Sequence, residues 1–128
     1  MAEALIPELF AMSSAPMLIH GDLHHFNILS SERGWLAIDP KGVVGPPEYE
    51  TGPLLINPIP EFLRGPDAVR RTERRIAILS EQLGFERERI RAWGICHAVL
   101  SAWWDLSNNN AGWEYAIRCA EIFLETRV

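Results

Sequence analysis

The sequence predicts a mainly α protein of the α+β class, in which a small β-hairpin precedes a three-helix bundle. Two observations predict this arrangement. Residues 17–66 are rich in glycine and proline and contain only short extended runs, which is typical of loops and hairpins. From Asp67 onward, apolar residues recur at helical spacing. The chain has 128 residues, 48% of them apolar, and can form the core of a single domain, 1–128.

Residues 1–16 are predicted to contain a short helix over 2–13. Its apolar side consists of Leu5, Leu9 and Met12. The residues that end it are Ser13, Ser14 and Pro16. Proline lacks the backbone N–H that a helix interior requires, so the helix is not expected to continue past it.

Short apolar runs in residues 17–66 predict three strands, at 17–19, 27–29 and 35–38. The segment 30–34 between the last two contains serine, a charged pair and glycine, which is the composition of a turn. These two strands are therefore expected to pair as a hairpin. The prolines that follow are expected to keep the chain in loops as far as the first long helix.

Three helices are predicted in residues 67–128. The first begins after Asp67 as N-cap and ends at Gly84, the second runs over 86–106, and the third begins at Ala111. The residues expected to face the core are Val69, Thr72, Ile76, Leu79 and Leu83 in the first, Ile90, Trp93, His97, Leu100 and Trp104 in the second, and Trp113, Ile117, Ala120 and Leu124 in the third. The run 70–75, rich in arginine, is expected to be a solvated helix face with Glu–Arg pairing.

Charge and composition exclude several functions. The chain has 12 basic and 17 acidic side chains and a net charge of −5, so no basic field is available to bind nucleic acid. The longest uncharged apolar stretch, 92–104, has 13 residues and is too short to cross a membrane. Cys96 and Cys119 form no C-x-x-C pair, and no signal peptide is recognised. A cytoplasmic protein with reduced thiols is expected.

The residues that indicate chemistry are Asp22, Asn27 and Asp39. An amide follows the first carboxylate by five positions, and the second carboxylate follows after the predicted hairpin. In phosphoryl transfer, one Asp accepts the proton of the attacking hydroxyl, while an Asn and another Asp hold Mg²⁺. Mg²⁺ prefers oxygen ligands and takes few of them from the protein. A hairpin would bring Asn27 and Asp39 to the same end of adjoining strands.

Two motifs carry a resemblance to a known family. The first resembles the catalytic loop of the aminoglycoside phosphotransferases and reads His20-Gly21-Asp22-Leu23-His24-His25-Phe26-Asn27-Ile28-Leu29. The second, Ala37-Ile38-Asp39-Pro40-Lys41-Gly42 followed by Gly45-Pro46-Pro47-Glu48-Tyr49-Glu50, resembles the branch with the streptomycin 6-kinases and hydroxyurea-type phosphotransferases. The resemblance covers nearly the whole chain and implies the C-terminal lobe of a protein-kinase-like fold.

The resemblance also implies roles for individual residues. Asp22 matches the catalytic base, and Asn27 and Asp39 match the ligands of Mg²⁺ in an enzyme that uses ATP. The implied acceptor is an aminoglycoside or another hydroxyl-bearing small molecule. The implied biological role is antibiotic inactivation.

Five further residues are candidates for supporting roles. By resemblance, His20 braces the catalytic loop and Glu50 fixes the segment after the metal-binding Asp. Lys41 is a candidate for neutralising phosphate charge, although it could equally be a surface lysine. His25 and Glu48 are candidates for phosphate or substrate contacts.

Other interpretations compete for some of these residues. His20, Asp22, His24 and His25 could ligate zinc, but the only histidine farther along the chain is His97. His97 is better explained as a satisfied core histidine. The carboxylates of Asp105, Glu114 and Glu48 could bind ammonium groups, although a solvated face is the simpler interpretation. The tryptophans could stack on a sugar ring, but helical spacing favours the core for most of Trp93, Trp103, Trp104 and Trp113.

The nucleotide-binding parts of such an enzyme are not recognised in the sequence. The only lysine is Lys41, and no glycine-rich phosphate loop precedes the catalytic motif. The resemblance therefore implies the C-terminal lobe without the N-terminal nucleotide-binding lobe, in a fragment expected to be inactive alone. The alternative hypothesis is a non-catalytic remnant that binds a cationic small molecule or a protein partner. A homodimer is one way to cover the exposed lobe interface.

Overall fold

A computed structural model describes residues 1–11 and 15–128. In these residues the helices are α1 Ala2–Ala11, α2 Thr51–Leu55, α3 Ala68–Leu83, α4 Arg87–Ser107 and α5 Trp113–Glu125. The strands are β1 Met17–Ile19, β2 Ile28–Ser31, β3 Gly34–Ala37 and β4 Val43–Gly45, and short 3₁₀ turns cover His25–Asn27, Pro47–Glu50 and Glu61–Leu63. The predicted mainly α fold with a small β part is confirmed.

The predicted hairpin is present. Strands β2 and β3 pair antiparallel, with Ile28 opposite Ala37 and Ser31 opposite Gly34. Gly34 has a φ of 92°, which a residue with a side chain rarely adopts, so glycine suits the end of this tight turn. Asn27 was expected in the strand, but it closes the 3₁₀ turn before β2.

A second small sheet was not predicted. Strand β4 pairs antiparallel with β1, and Leu18 lies opposite Val44. Both residues are 74% exposed although both are apolar. The sequence of β4 therefore lacks the alternation of apolar and polar residues by which a half-buried strand is recognised. The pairing places the segment that follows Asp39 beside the segment that leads to His20, and thereby brings the two motifs together.

The three-helix bundle is present, and α4 is its central element. Its residues from Trp93 to Ala98 are all buried, because α1, α2, α3 and α5 all pack against this helix. The core includes Ile76 of α3, Ile90 of α4 and Phe123 of α5, each 0% exposed. In the described part of the chain, no helix is both long enough and apolar enough to cross a membrane.

The predicted buried face of α5 is wrong for three of its four residues, and only Ala120 is buried as predicted. The exposed residues are Trp113, Ile117 and Leu124, and the buried ones are Ala116, Cys119, Ala120, Ile122 and Phe123. The helix is apolar on two sides, so its sequence alone does not decide which side is buried. Gly94 of α4 favours burial of the side that carries Phe123, because the absence of a side chain leaves room for the Phe123 ring. A Cβ built at Gly94 would lie 2.7 Å from that ring.

Several further expectations need correction. Leu83 and Trp104 are exposed, as are Trp103 and Trp113; of the four tryptophans considered for the core only Trp93, 3% exposed, is buried. Asp67 precedes α3 as predicted, but its side chain makes no capping hydrogen bond. Met12, expected on the apolar side of α1, and Ser13 and Ser14, expected to end it, lie outside the described residues.

The arginine-rich run is more than a solvated face. Arg75 is half-buried and donates hydrogen bonds to the backbone carbonyls of Leu54, Leu55 and Asn57, at the carboxyl end of α2. Arg71 donates to the carbonyls of two residues near the 3₁₀ turn Glu61–Leu63. These arginines hold the loops around α2 and the 3₁₀ turn Glu61–Leu63 against α3. Their hydrogen bonds go to backbone carbonyls, whereas the sequence predicted pairing with neighbouring glutamates.

The close contact between α4 and α5 generates a stability prediction. Gly94→Ala should lower the free energy of unfolding by about 1–3 kcal/mol, because the added methyl group meets the Phe123 ring. In a Phe123→Leu background the same change should cost less, because the shorter side chain leaves room and alanine favours a helix by about 1 kcal/mol. Urea unfolding of the four proteins in this cycle measures both values. Equal costs in the two backgrounds would contradict the contact.

Candidate active site

The candidate site is built on the loop between β1 and β2. Ile19 is buried at the end of β1, and the chain then reverses at Gly21, which has a φ of 85°. A Cβ at Gly21 would lie 3.0 Å from the Val43 side chain and 3.2 Å from the Lys41 side chain. Glycine is therefore needed here both for its backbone angle and for the close approach of β4.

Glu50 holds the start of this loop. Its carboxylate accepts hydrogen bonds from the backbone N–H of His20, at 3.1 Å, and of Gly21, at 2.7 Å. The backbone N–H of Lys41 donates to the carbonyl of His20, at 2.7 Å. The charge on the Glu50 carboxylate makes the first two of these bonds stronger than ordinary amide hydrogen bonds. Three segments that are distant in sequence are thereby joined immediately before Asp22.

The His20 ring makes a second connection. The backbone N–H of Asp22 donates to Nδ1, and Nε2 lies 2.7 Å from the carbonyl oxygen of Ile38. Since Nδ1 accepts, the proton of the neutral ring is on Nε2 and is donated to Ile38. The ring thus ties the residue at the base of the loop to the end of β3, immediately before Asp39.

The zinc interpretation does not match this geometry. Both ring nitrogens of His20 are engaged with backbone groups. In the part of the chain that the structure describes, no three His, Cys, Asp or Glu side chains come together as a metal site. The imidazole of His24 accepts from the backbone N–H of Phe26 through Nδ1, and so caps the 3₁₀ turn His25–Asn27.

The Asp22 carboxylate is accessible and loosely paired. Its side chain is 37% exposed, and Oδ2 lies 3.8 Å from Nε2 of His24 and 3.9 Å from Nζ of Lys41. Exposed pairs at such distances contribute little to stability and can be exchanged for other partners. Lys41, the candidate for neutralising phosphate charge, has its ammonium group beside Asp22 in the structure.

Asn27 and Asp39 are linked through the backbone. The amide nitrogen of Asn27 donates to the carbonyl of Asp22, at 3.0 Å, and Ile38 N–H donates to the carbonyl of Asn27, at 2.9 Å. Asp39 follows with a φ of 54°, a left-handed conformation that is costly for a residue with a side chain. An amide oxygen and a carboxylate form an oxygen donor set that suits Mg²⁺, which takes its remaining ligands from water and phosphate.

Glu48 is not at the surface of the site. Its side chain was a candidate substrate contact, but it is 3% exposed and its Oε1 lies 3.4 Å from Nε of Arg89 on α4. A buried carboxylate with a charged partner holds the 3₁₀ turn Pro47–Glu50 against α4. The structure therefore assigns Glu48 to the interior.

His25 points toward α3. It lines a cavity of about 220 Å³ together with Leu54 and Arg75. Partial burial lowers the pKa of His25, and the positive charges of Arg75 and His24 lower it further. His25 is nevertheless an exposed residue, and the cavity that it lines belongs to the helical part of the protein.

Sequence reasoning missed a cluster of rings behind the loop, formed by Tyr49, Trp93 and His97. Tyr49, next to Glu50, packs edge-on against the rings of Trp93 and His97, at centroid distances of 5.6 Å and 5.7 Å. His97 fits because Gly52 has no side chain: a Cβ there would lie 2.8 Å from the His97 Cβ. The signal that could have found the group is the glycine in α2 opposite a histidine in α4, which becomes visible only when the two helices are placed together.

His97 is buried, as expected of a core histidine, but it is not satisfied. It is 7% exposed, and its Nδ1 has no hydrogen-bond partner among the described residues. Burial lowers the pKa of His97 to about 4, against a smaller opposing effect of the Asp22 charge. The ring is therefore neutral at pH 7.

Comparison with known proteins identifies the family. The profile of the family described as aminoglycoside/hydroxyurea antibiotic resistance kinase matches residues 1–109. The chain belongs to this family. The resemblance seen in the two motifs is thus confirmed. No solved structure matches the chain.

Named kinases of this kind are similar to the chain over part of their length. Streptomycin 6-kinase of Streptomyces glaucescens is 36% identical over 95 residues, covering 73% of this chain and 31% of that protein. Streptomycin 3''-kinase of Klebsiella pneumoniae is 38% identical over 106 residues, covering 80% and 40%. Hydroxyurea phosphotransferase of Kitasatospora aureofaciens is 36% identical over 109 residues, covering 84% and 30%. The chain spans about a third of the length of these curated kinases.

The double acceptor role of Glu50 generates a prediction. Glu50→Gln should lower the free energy of unfolding by about 1–3 kcal/mol, because one of the two backbone N–H groups then faces an amide NH₂ instead of an oxygen. Hydrogen exchange of the Gly21 amide should become faster. Glu61→Gln, an exposed carboxylate, is the matched control and should change stability by less than about 0.5 kcal/mol. Equal effects of the two changes would contradict the bracing role.

Buried His97 generates a prediction about pH. Its pKa is near 6.5 when unfolded and about 4 when folded, so the unfolded state takes up the proton first as the pH falls. Stability attributable to His97 is complete above pH 6.5 and decreases down to pH 4, by up to about 3 kcal/mol. Urea unfolding of wild type and His97→Gln across this range isolates the effect from Asp22, Tyr49 and Cys96, which both proteins retain. Parallel curves would contradict it.

Proposed function

We propose that this chain carries the acceptor-activating and metal-binding residues of an ATP-dependent O-phosphotransferase of the aminoglycoside kinase type. The observation that carries the proposal is the accessible Asp22 carboxylate on a loop held by Glu50 and His20. The same loop contains Asn27, and the ring of His20 connects it to the strand end before Asp39. Family membership supports the reaction class.

Asp22 acts as the base in this proposal. Its carboxylate accepts the proton of the acceptor hydroxyl as that oxygen bonds to the terminal phosphorus of ATP, while the bond from this phosphorus to the bridging oxygen breaks and ADP leaves. The side chain is exposed enough to be reached, at 37%, and its backbone is fixed by His20 and Asn27. A fixed backbone and an open carboxylate suit a group that must meet a substrate in one orientation.

Asn27 and Asp39 hold Mg²⁺ in this proposal. The metal, when bound, neutralises charge on the phosphate oxygens. Asn27 is buried and uses its amide nitrogen on the Asp22 carbonyl, so its amide oxygen is the atom available to a metal. Lys41, whose side chain is 62% exposed, can leave Asp22 and contact the transferred phosphoryl group.

The residues that bind the nucleotide phosphates are assigned to a part of the enzyme outside these 128 residues. Lys41 follows the metal-binding Asp and is the only lysine in the sequence, and no glycine-rich phosphate loop is present. The related kinases are about three times as long as the matched segment. Streptomycin is the proposed acceptor because three related kinases bear its name.

The test places the chain in a complete enzyme. The 128 residues replace the matching segment of the Streptomyces glaucescens streptomycin 6-kinase, and transfer of labelled phosphate from Mg²⁺-ATP to streptomycin is measured. The graft should be active, and Asp22→Asn should lower its kcat by about 10²–10⁴-fold, because the general base is lost. Asp67→Asn, at an exposed position before α3, is the control and should retain activity.

Two results would contradict the proposal. One is a graft that folds and binds ATP by calorimetry but transfers no phosphate. The other is an Asp22→Asn graft as active as its parent. The first result would favour a non-catalytic remnant, and the second would remove Asp22 as the base. The chain by itself should neither bind ATP nor transfer phosphate.

A further inference from the structure

His24 lies beside the proposed base, and one of its ring nitrogens is already engaged. Nδ1 accepts a hydrogen bond from the backbone N–H of Phe26, at 3.2 Å. An imidazole nitrogen that accepts carries no proton, so the proton of the neutral ring is on Nε2. The Phe26 ring meets the His24 ring edge-on, at 6.1 Å between centroids, and helps to hold its orientation. The turn in which Phe26 lies thus sets the tautomer of His24.

The Nε2–H group of His24 lies near a donor and an acceptor. Nε2 is 3.3 Å from Nδ2 of Asn27 and 3.8 Å from Oδ2 of Asp22. The Asn27 nitrogen donates to the Asp22 carbonyl and offers no lone pair, so the Asp22 carboxylate is the acceptor of the two. Hydrogen bonds of catalytic groups are often long in a protein without substrate and shorten when the substrate binds. A movement of about 1 Å would close this one.

The two oxygens of the Asp22 carboxylate have different surroundings. Oδ2 lies 3.8 Å from Nε2 of His24 and 3.9 Å from Nζ of Lys41. Among the residues that the structure describes, none donates to Oδ1 or pairs with it. One oxygen is therefore near two donors, and the other is open to an incoming hydroxyl. Proton transfer depends on this orientation, because the accepting oxygen must point at the hydroxyl that attacks.

Lys41 is the less suitable of the two donors for holding Oδ2 during the reaction. Its side chain is 62% exposed and, in the proposed function, it moves to the transferred phosphoryl group. The His24 side chain is 25% exposed and is bonded to the backbone at Phe26. His24 is therefore the donor that remains beside Oδ2 when Lys41 leaves.

We propose that His24 is a positioning residue for the base. Its Nε2–H donates to Oδ2 of Asp22 and holds the carboxylate so that Oδ1 receives the proton of the acceptor hydroxyl. His24 keeps its own proton throughout and touches neither the hydroxyl nor the phosphoryl group. The inference rests on the proposed function, in which Asp22 is the base. Its effect on rate can be large, because a misplacement of about 1 Å lowers a rate by about 100-fold.

Two substitutions separate the roles of the two ring nitrogens. In His24→Asn the side-chain oxygen can still accept the Phe26 N–H, two residues ahead, but the donor near Oδ2 is lost. In His24→Gln the amide nitrogen reaches about as far as Nε2 and can donate to Oδ2, while the acceptor for Phe26 is lost. The inference predicts that His24→Asn impairs the reaction and His24→Gln does not. A residue that only capped the turn would give the reverse order.

The measurement uses the graft of the 128 residues into the Streptomyces glaucescens kinase. His24→Asn should lower kcat for streptomycin by about 10–100-fold and leave KM for streptomycin and ATP within about twofold, because the change affects the base and not binding. His24→Gln is the matched control and should keep kcat within about threefold of the parent. In an Asp22→Asn background, His24→Asn should have no further effect, because the carboxylate that His24 positions is gone.

A second measurement needs no activity. Long-range ¹H–¹⁵N NMR of the 128-residue chain at about pH 9 reports which nitrogen of the neutral His24 ring carries the proton. The signals are assigned by their loss in His24→Gln. The proton should be on Nε2, because Nδ1 accepts from Phe26.

Three results would overturn the inference and leave Asp22 as the base. They are a His24 ring protonated on Nδ1, a His24→Asn graft as active as its parent, and an equal loss of kcat from His24→Asn with and without the Asp22 carboxylate. The last would show that His24 acts on the phosphoryl group or on folding rather than through Asp22. Failure of the proposed function gives a different result, since Asp22→Asn itself would then leave phosphate transfer unchanged.

Discussion

The carboxylate of Glu50 holds the loop on which the candidate site depends. It accepts the backbone N–H groups of His20 and Gly21, where β1 has ended and no regular element has begun. A residue thirty positions away thus supplies the partners that a strand or helix would otherwise provide. With this end fixed, the His20 ring can bond to Asp22 N–H and to the Ile38 carbonyl at once. These bonds fix the backbone at Asp22 and at the residue immediately before Asp39.

The molecule separates charged and neutral surroundings around this loop. On the open side, Asp22 lies near Lys41 and His24 at distances that allow exchange of partners. On the inner side, a cavity of about 200 Å³ is lined by Trp93, a neutral His97 and other side chains without charge. Charge is retained where solvent and phosphate can stabilise it, and excluded where burial would make it costly.

The sequence was most informative where the chemistry is local. Asp22 and Asn27 lie in one loop and bond to each other through a backbone carbonyl, so their spacing in the chain reflects their spacing in space. The hairpin and the bounds of the long helices were also predictable, because turns and helical periodicity act over a few residues. The roles of the site residues remain predictions. Glu48 was misplaced because an acidic residue in a loop gives no sign that Arg89 of a distant helix neutralises it.

The family, the mainly α class, the β-hairpin and the three long helices could be predicted from the sequence, since motifs and periodicity are properties of neighbouring residues. Only the tertiary structure decided which side of α5 is buried, because Gly94 admits the ring of Phe123. It also decided that β4 pairs with β1, and that Trp93 and His97 line one uncharged cavity behind the loop that carries Asp22. These features depend on side chains that meet from distant parts of the chain, and no local pattern encodes such meetings.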